Sequence, residues 1–523
     1  MNKKEEKVGL FFPPAYDIEY PPPSTPALVG FLKSKGINTV QIDLNLLYRG
    51  YIIKNKLEKI FSAEYKINKI KKKVYYYRIL RHKDIARPHY KFESTPASSF
   101  TFTERMLSSK FLRRFVSDQK ENPFVDFFHK QLLPEIKNGD FSLIGFSVLT
   151  PSQVIATLTF GYLIKTIFPT IKVVIGGYWA SFYREELRKR DDFSIFFDYI
   201  IYFEGETPLF RLINAIKNNE KLSEVPNLIY QDNGSWKKSD ITTEEDMNKL
   251  PAPDFGGLNL KRYSGWRGKN PVIAFETARG CYWHKCIYCT DLYLPQQTYR
   301  QKSPDLVVRD IKNLVRKYKP NHLMVANTAF APSQMKQIAK KILKERIKIT
   351  WNTFARLDKG FDKETLRLAK KSGCLQLAFG LESINQKVLD FIKKGTTVDI
   401  INRIRKDCRD LKLSILFQAI IGLPSETAEE TFKTMCFLVK PGEGNTGKEF
   451  YGVNIYELFP RNTVFLNPQK YGIKITCNKN LPFRFSYPFK HVAGNMNGVK
   501  AKKMLCAFRN ILKLKKKAAF KKG

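Results

Sequence analysis

The chain has 523 residues, with 90 Lys and Arg against 49 Asp and Glu, a formal charge of +41, and 43% hydrophobic residues. That composition belongs to folded domains rather than to a disordered chain, and the length suggests about three domains of ~150 residues each. No run approaches the ~18–20 apolar residues that span a bilayer. The apolar run near the N-terminus is cut short by Pro13 and Pro14, unlike a signal peptide. The expectation is a cytoplasmic protein without a transmembrane segment.

Residues 1–230 read as alternating strands and helices. Lys7–Phe12 is a short apolar strand, and Pro13–Pro26 is a proline-rich loop. Ala27–Gly36 has helical periodicity with a glycine at its end, and Thr39–Asp43 is a second strand. Basic, aromatic-rich helical stretches over 46–139 read as an insertion. The alternation resumes with strand Leu143–Val148, helix Ser152–Phe168, strand Lys172–Ile175, helix Tyr183–Lys189, strand Tyr199–Tyr202 and helix Pro208–Asn218. The implied fold is α/β, a mostly parallel Rossmann-like sheet with helices on both faces. Ligands of such sheets lie beyond the carboxyl ends of the strands. That rule selects Pro13–Pro26, Leu149–Gln153, Gly176–Ala180 and Glu204–Thr207.

Residues 231–265 are polar and carry Pro251 and Pro253, as a linker with a short hairpin would. A second alternating unit over 266–460 has strand candidates Val272–Thr277, His322–Ala326, Lys348–Phe354, Leu375–Gly380, Ser414–Ile421 and Gly452–Leu458. Helical patterns separate them at Pro304–Lys317, Ser333–Lys344, Lys363–Ser372 and Glu426–Val439. Six such repeats are too few for an eight-fold barrel and fit a partial (βα)6 barrel. Residues 461–523 form a basic C-terminal extension.

Charge is unevenly spread. Residues 51–115 hold 17 Lys and Arg against 5 Asp and Glu, and 491–523 hold 10 with no acid. These stretches are either a lysine-rich solvated surface or a face for an acidic peptide, a nucleic acid or an anionic membrane.

Eight cysteines, none before Cys281, do not make a disulfide framework in a chain this long. Three of them, Cys281, Cys286 and Cys289, fall on one loop directly after the first strand of the second unit, where barrel chemistry sits. Three thiolates can ligate three irons of a [4Fe–4S] cluster and leave the fourth iron open. Structural zinc is the alternative, but it normally takes four ligands and only one CxxC is present, with His284 awkwardly between the cysteines. Incidental or redox-sensing thiols are the third reading. Cys374 and Cys436 lie on apolar runs and read as core residues. Cys408, Cys477 and Cys506 take no assignment.

With its downstream motifs Gly380-Leu-Glu-Ser383 and Ile421-Gly-Leu-Pro-Ser-Glu-Thr427, the cysteine loop resembles the radical S-adenosylmethionine (SAM) superfamily. Its first two cysteines are separated by four residues, where the family usually has three. The N-terminal unit, with Ser147-Val-Leu-Thr-Pro-Ser-Gln153, Gly176-Gly177 and Glu204-Gly-Glu206, resembles a cobalamin-binding domain. Together they resemble cobalamin-dependent radical SAM enzymes of the class B methyltransferase kind. The resemblance implies a [4Fe–4S] cluster on Cys281, Cys286 and Cys289. It implies SAM contacts from Tyr288, Asn327, Arg356, Glu382, Ser383 and Gly422, and cobalamin contacts from Ser147, Thr150, Gly176, Gly177, Glu204 and Gly205. None of the six histidines lies in Pro13–Pro26, so cobalt would lack a lower histidine ligand from that loop. Each residue also has a structural alternative. The structural alternative for Glu382 is a helix-capping acid, for Arg356 half of a buried ion pair, for Gly422 with Pro424 a strand end, and for Gly176-Gly177 a tight turn.

The activity implied is methylation of an unactivated carbon in a peptide or small-molecule natural-product precursor. Methylcobalamin and a 5′-deoxyadenosyl radical would carry it, and a donor such as flavodoxin or ferredoxin would supply electrons. An acidic precursor peptide would suit the basic insertion, and nucleic acid is a further partner class. Two other functions compete: a non-methylating rearrangement or cyclisation, and a non-catalytic basic binding protein.

Overall fold

The computed structural model describes residues 7–14, 16, 20–62, 109–120, 122–263, 271–290, 298–439, 448–478, 483–492, 496 and 498–520. The chain divides into two compact units, Met1–Ile273 and Ala274–Gly523.

The first unit is a seven-stranded sheet in the order β2-β1-β3-β4-β5-β6-β7. Its strands are β1 (Lys7–Phe12), β2 (Asn38–Asp43), β3 (Phe141–Ser147), β4 (Lys172–Gly176), β5 (Tyr199–Ile201), β6 (Leu228–Asp232) and β7 (Ser235–Lys238). The first five pair in parallel and the last two join antiparallel. Alternate side chains of β1 serve opposite faces. Val8 and Leu10 join Val29, Leu32, Leu209 and Leu212 beneath the helices Ser24–Ser34 and Glu206–Asn218. Phe11 meets Phe141 and Phe146 edge-on on the other side. There the rings of Phe124, Phe127 and Phe128 pack on Phe160 of the helix Val154–Ile167.

Within the stretch 46–139, Tyr48, Leu112, Phe115, Phe124, Phe127, Phe128 and Ile136 are buried, so this region is not simply a solvated basic surface. Binary pattern and aromatic content gave those residues a buried face, which the surrounding lysines obscured. Most of the basic stretch, 63–108, lies outside the described residues. Nor is 231–265 a free linker. Its hairpin β6–β7 widens the sheet, and Gln41 Nε2 donates to the carbonyls of Asp254 and Gly256 at 2.7 and 2.8 Å. The expected helix Tyr183–Lys189 is present as Arg184–Arg188, and a further short helix, Tyr178–Phe182, precedes it.

The second unit has a six-stranded sheet ordered β15-β14-β13-β12-β11-β8. It comprises β8 (Val272–Phe275), β11 (His322–Val325), β12 (Thr350–Arg356), β13 (Cys374–Glu382), β14 (Ser414–Ile421) and β15 (Glu449–Ile455). The two-residue strands β9 (Ala278–Arg279) and β10 (Arg300–Gln301) pair with each other. Strand order follows chain order from β8 to β15, with parallel pairing from β11 onward, as in an open (βα)6 barrel. The helices Pro304–Tyr318, Pro332–Lys344, Lys363–Lys371, Gln386–Phe391, Val398–Asp410 and Ala428–Val439 connect them. Ser303, Asp362 and Thr397 cap three of these helices with side-chain oxygens, the local signal that sets their starts.

The C-terminal extension is part of this unit. The hairpin β16 (Ile473–Ile475) and β17 (Phe489–His491), with Tyr456, Leu458 and Val464, packs on Ile287 of the cysteine loop and on Leu423. The helix Gly498–Phe520 follows, burying Ala501, Leu505 and Phe508. Cys374 and Cys408 are buried, whereas Cys436 is exposed on the outer side of its helix, contrary to the expectation of a core position. Among the described residues no helix is long and apolar enough to cross a membrane.

Candidate active site

In the second unit, the residues singled out by sequence gather at the carboxyl ends of the parallel strands. The cysteine loop follows β8, Arg356 ends β12, Glu382 ends β13 and Gly422 follows β14. Cys281, Cys286 and Cys289 are half-buried and none is in a disulfide. Burial pushes the Cys286 thiol up, and the positive charges of Lys394 and Arg356 act in the opposite direction. His284, inside the loop, has a left-handed backbone (φ 48°). Its buried Nδ1 has no hydrogen-bond partner among the described residues. No three His, Cys, Asp or Glu side chains among the described residues gather as they would around one metal ion.

The loop is held from one side by the turn Ile392–Gly395. The Ile287 amide donates to the Ile392 carbonyl at 3.2 Å, and Trp283 Nε1 donates to the Lys393 carbonyl at 2.7 Å. Gly395 has φ 67°, and a Cβ there would lie 1.9 Å from the Trp283 ring, so glycine is required twice over. Arg356 Nη2 donates to the Lys394 carbonyl at 2.7 Å, and its guanidinium lies 4.6 Å from the Trp283 ring centre. Arg356 Nε is buried without a hydrogen bond among the described residues. The alternative of a buried ion pair for Arg356 finds no carboxylate partner among the described residues; the arginine stacks on the loop with its Nε unbonded there.

Glu382 is neither a helix cap nor solvent-facing. A bulge between Gly380 and Glu382 shifts the β13–β14 register, and Glu382 takes φ 57°. Such a conformation costs a non-glycine residue of order 1–3 kcal/mol and persists where its surroundings fix it. Its Oε1 accepts from Lys394 Nζ at 2.7 Å and from the Tyr288 hydroxyl at 3.0 Å, with Lys394 Nζ 3.3 Å from that hydroxyl. Burial, followed by the charge of Glu382, pushes the Tyr288 phenol well up, so it stays a donor. Gly380 makes room for the pair. A Cβ there would meet Glu382 Oε1 at 2.6 Å and Lys394 Nζ at 2.9 Å.

Three expected SAM contacts have structural duties. Asn327 is buried and braces the first loop. Its Oδ1 accepts from the amides of Thr277 and Ala278 at 2.9 and 3.2 Å, and its Nδ2 donates to Thr277 Oγ1 at 2.7 Å. Three of the four hydrogen-bonding positions of that side chain are thus taken within the loop. Ser383 is fully buried and its hydroxyl pairs with Thr434 at 3.2 Å. Gly422 has φ 77° and its amide donates to Glu426 Oε2 at 2.7 Å, while Ala501 and Met496 lie where its side chain would be. Lys394, Trp283, Glu426 and Asn462 were not anticipated. Asn462 Nδ2 donates to the Tyr288 carbonyl at 3.2 Å. Of these four, only Glu426 stands in a downstream motif that the sequence singled out, Ile421–Thr427.

In the first unit the strand order 2-1-3-4-5 changes direction between β1 and β3, where open α/β sheets place ligands. Loops after those strands meet there. Gln153 Nε2 donates to the Pro13 carbonyl at 2.8 Å, and Ser147 Oγ donates to Ser24 Oγ at 2.9 Å. Thr150 caps the short turn Pro151–Gln153. Gly177 (φ 93°) is fixed by the chain itself, since a Cβ would lie 2.7 Å from the Val148 carbonyl oxygen. Gly176 and Gly205 face Ile201 and Leu28. Glu204 Oε2 accepts from the Glu245 amide at 2.6 Å. Close packing accounts for Gly177 alone, since a Cβ at Gly176 would come no nearer than 3.4 Å to its surroundings.

Residues 275–438 match the Radical SAM superfamily, and this part of the chain is a radical SAM domain. The chain as a whole has the fold of cobalamin-dependent radical SAM enzymes. It resembles the cobalamin-dependent S-adenosylmethionine radical enzyme OxsB with a TM-score of 0.63 and 17% identity, over 92% of this chain and 64% of that one. It resembles the radical S-adenosylmethionine methyltransferase TsrM of Kitasatospora setae with a TM-score of 0.59 and 16% identity, over 90% and 79%. In sequence it is 26% identical over 308 residues to an uncharacterized methyltransferase of Pyrococcus horikoshii, 58% of this chain and 65% of that protein. It is 25% identical over 319 residues to the anaerobic magnesium-protoporphyrin IX monomethyl ester cyclase of Rubrivivax gelatinosus, 59% and 56%. The chain thus spans between 56% and 65% of the length of these two curated relatives.

Proposed function

We propose that the protein is a cobalamin-dependent radical SAM enzyme that methylates an unactivated carbon of a peptide or small-molecule natural-product precursor. The carrying observation is that the three-cysteine loop, two cations and one buried carboxylate lie together at the strand ends of the second unit. The donor set suits a cluster: three thiols on one loop that is hydrogen-bonded to the turn Ile392–Gly395. Cys281, Cys286 and Cys289 hold the cluster, and the loops after β1 and β3 hold cobalamin. When bound, these cofactors supply the electron that splits SAM into a 5′-deoxyadenosyl radical and the methyl group to be transferred.

The protein's own residues bind and orient. Arg356, with its unused Nε, pairs with the SAM carboxylate in a charge-assisted bond. The Glu382 carboxylate accepts from the ribose hydroxyls, and the backbone at Tyr288 and Gly422 lines the adenine. An acidic precursor suits the basic surface, and a reduced flavodoxin or ferredoxin delivers the electron. A second reading, cyclisation or rearrangement without methyl transfer, is favoured by the likeness to the cyclase.

Anaerobic reconstitution followed by iron, sulfide and cobalt counting tests the cofactor assignment. We expect about four irons per chain from one cluster, plus cobalt; a protein that takes up only zinc would overturn it. Incubation with methyl-labelled SAM and candidate precursors then separates the readings. Label in the product supports methylation, and 5′-deoxyadenosine with an unlabelled, rearranged product supports the second.

A further inference from the structure

We infer that Lys394 is a positioning residue of the SAM site: it turns Glu382 so that one carboxylate oxygen faces the ligand, and it sets a fixed positive charge beside the cluster. This rests on the radical SAM reading above. The two oxygens of Glu382 are not equivalent. Oε1 takes both protein donors, Lys394 Nζ at 2.7 Å and the Tyr288 hydroxyl at 3.0 Å. Oε2 takes none among the described residues, which leaves it to accept from a ribose diol. Without the lysine the carboxylate could rotate, and its strained backbone position would lose its main anchor.

The ammonium is itself held in place. The Lys394 amide donates to the Leu389 carbonyl at 2.9 Å, and its own carbonyl accepts from Arg356. Its neighbours on the turn are bonded to the cysteine loop through Ile392 and Lys393. Its side chain is only 7% exposed, beside an 8% exposed carboxylate, so the charges are poorly screened by water. Lys394 Nζ also lies 6.0 Å from the ring centre of Tyr288, the residue directly before Cys289. A cation near an iron–sulfur cluster favours the added electron and raises the reduction potential. One side chain therefore links the ribose carboxylate, the loop aromatic and the cluster.

Three variants separate position from charge: K394M removes both, K394Q keeps a donor without charge, and K394R keeps both approximately. Each is reconstituted anaerobically and checked for iron content. Binding of SAM and of its 2′-deoxy analogue is measured by equilibrium dialysis, and the cluster midpoint potential by optical redox titration. In K394M the affinity for SAM should fall roughly tenfold, as expected for loss of a charge-assisted contact network. Its preference for SAM over the 2′-deoxy analogue should approach one, and the midpoint should move to more negative values. K394Q should keep most of the ribose preference while showing the negative shift, and K394R should stay near wild type in both. Wild-type preference in K394M, or an unshifted midpoint in K394Q, would overturn the inference while leaving the radical SAM reading intact. If K394M does not retain its cluster, K394Q and K394R decide by the same two readouts. Failure of the wild-type protein itself to bind SAM would instead overturn the reading on which the inference stands.

Discussion

Glu426 has no exposure to solvent, and its Oε2 accepts from the amides of Gly422 and Leu423 at 2.7 and 3.4 Å. Burial raises its pKa from the ordinary 4.5 to about 7, against those hydrogen bonds. Between these values the folded chain holds a proton that the unfolded chain has released. Stability from this group is therefore greatest below the unfolded pKa and declines as pH rises toward 7. Glu426→Gln, which keeps an acceptor for Gly422, should flatten the fall of thermal midpoint between about pH 4.5 and 7. A profile parallel to wild type would show that another group sets the slope. At Asn327 the prediction concerns stability. Asn327→Ala leaves two buried amides without an acceptor and should cost roughly 2–3 kcal/mol, read as a lower unfolding midpoint. A normally stable variant that binds SAM poorly would restore Asn327 as a ligand contact. Both residues stand in motifs visible in the sequence. Their duties were not visible, because whether a polar side chain faces a ligand or a neighbouring amide depends on partners 50 residues away for Asn327 and on burial for Glu426.

The elements that shape the site are short and irregular. Strand β13 carries a bulge that sets Glu382 off the regular alternation, and the turn Ile392–Gly395 binds the cysteine loop by two hydrogen bonds and one ring contact. Gly395→Ala would combine a left-handed backbone with a Cβ inside the Trp283 ring. We expect the reconstituted variant to hold less iron, while circular dichroism shows unchanged helix and strand content. Full iron occupancy would mean that the turn does not position the loop. Periodicity located the strands and most helices of both units to within a few residues, because a buried strand and an amphipathic helix announce themselves locally. The bulge, the positive φ at Glu382 and the covering hairpin β16–β17 had no such announcement, since contacts between distant segments create them.

At the scale of the whole chain, the two units have separate cores and separate ligand-facing ends. Cys286→Ala should abolish reductive SAM cleavage, measured as 5′-deoxyadenosine formed, and leave cobalamin retention largely unchanged by absorbance. Loss of both together would show that the units do not bind their cofactors independently. The lysine-rich stretch within 51–115 falls mostly outside the described residues, but its described flanks supply apolar core. Basic charge along the sequence was therefore a poor guide to domain boundaries, because a helix can carry lysines on one face and bury phenylalanines on the other.

By itself the sequence determined the alternation of strands and helices, the position of three cysteines after a strand, and the lack of a histidine in the first loop. These are local facts of spacing and residue type. Only the tertiary structure decided which polar groups converge. It paired Glu382 with Lys394, placed Arg356 against Trp283, turned Asn327 and Ser383 inward, and made the C-terminal extension a wall of the site. The physical reason is burial. A charged or hydrogen-bonding side chain removed from water must be satisfied by whatever the fold brings within about 3 Å, and that partner is chosen by packing across the chain.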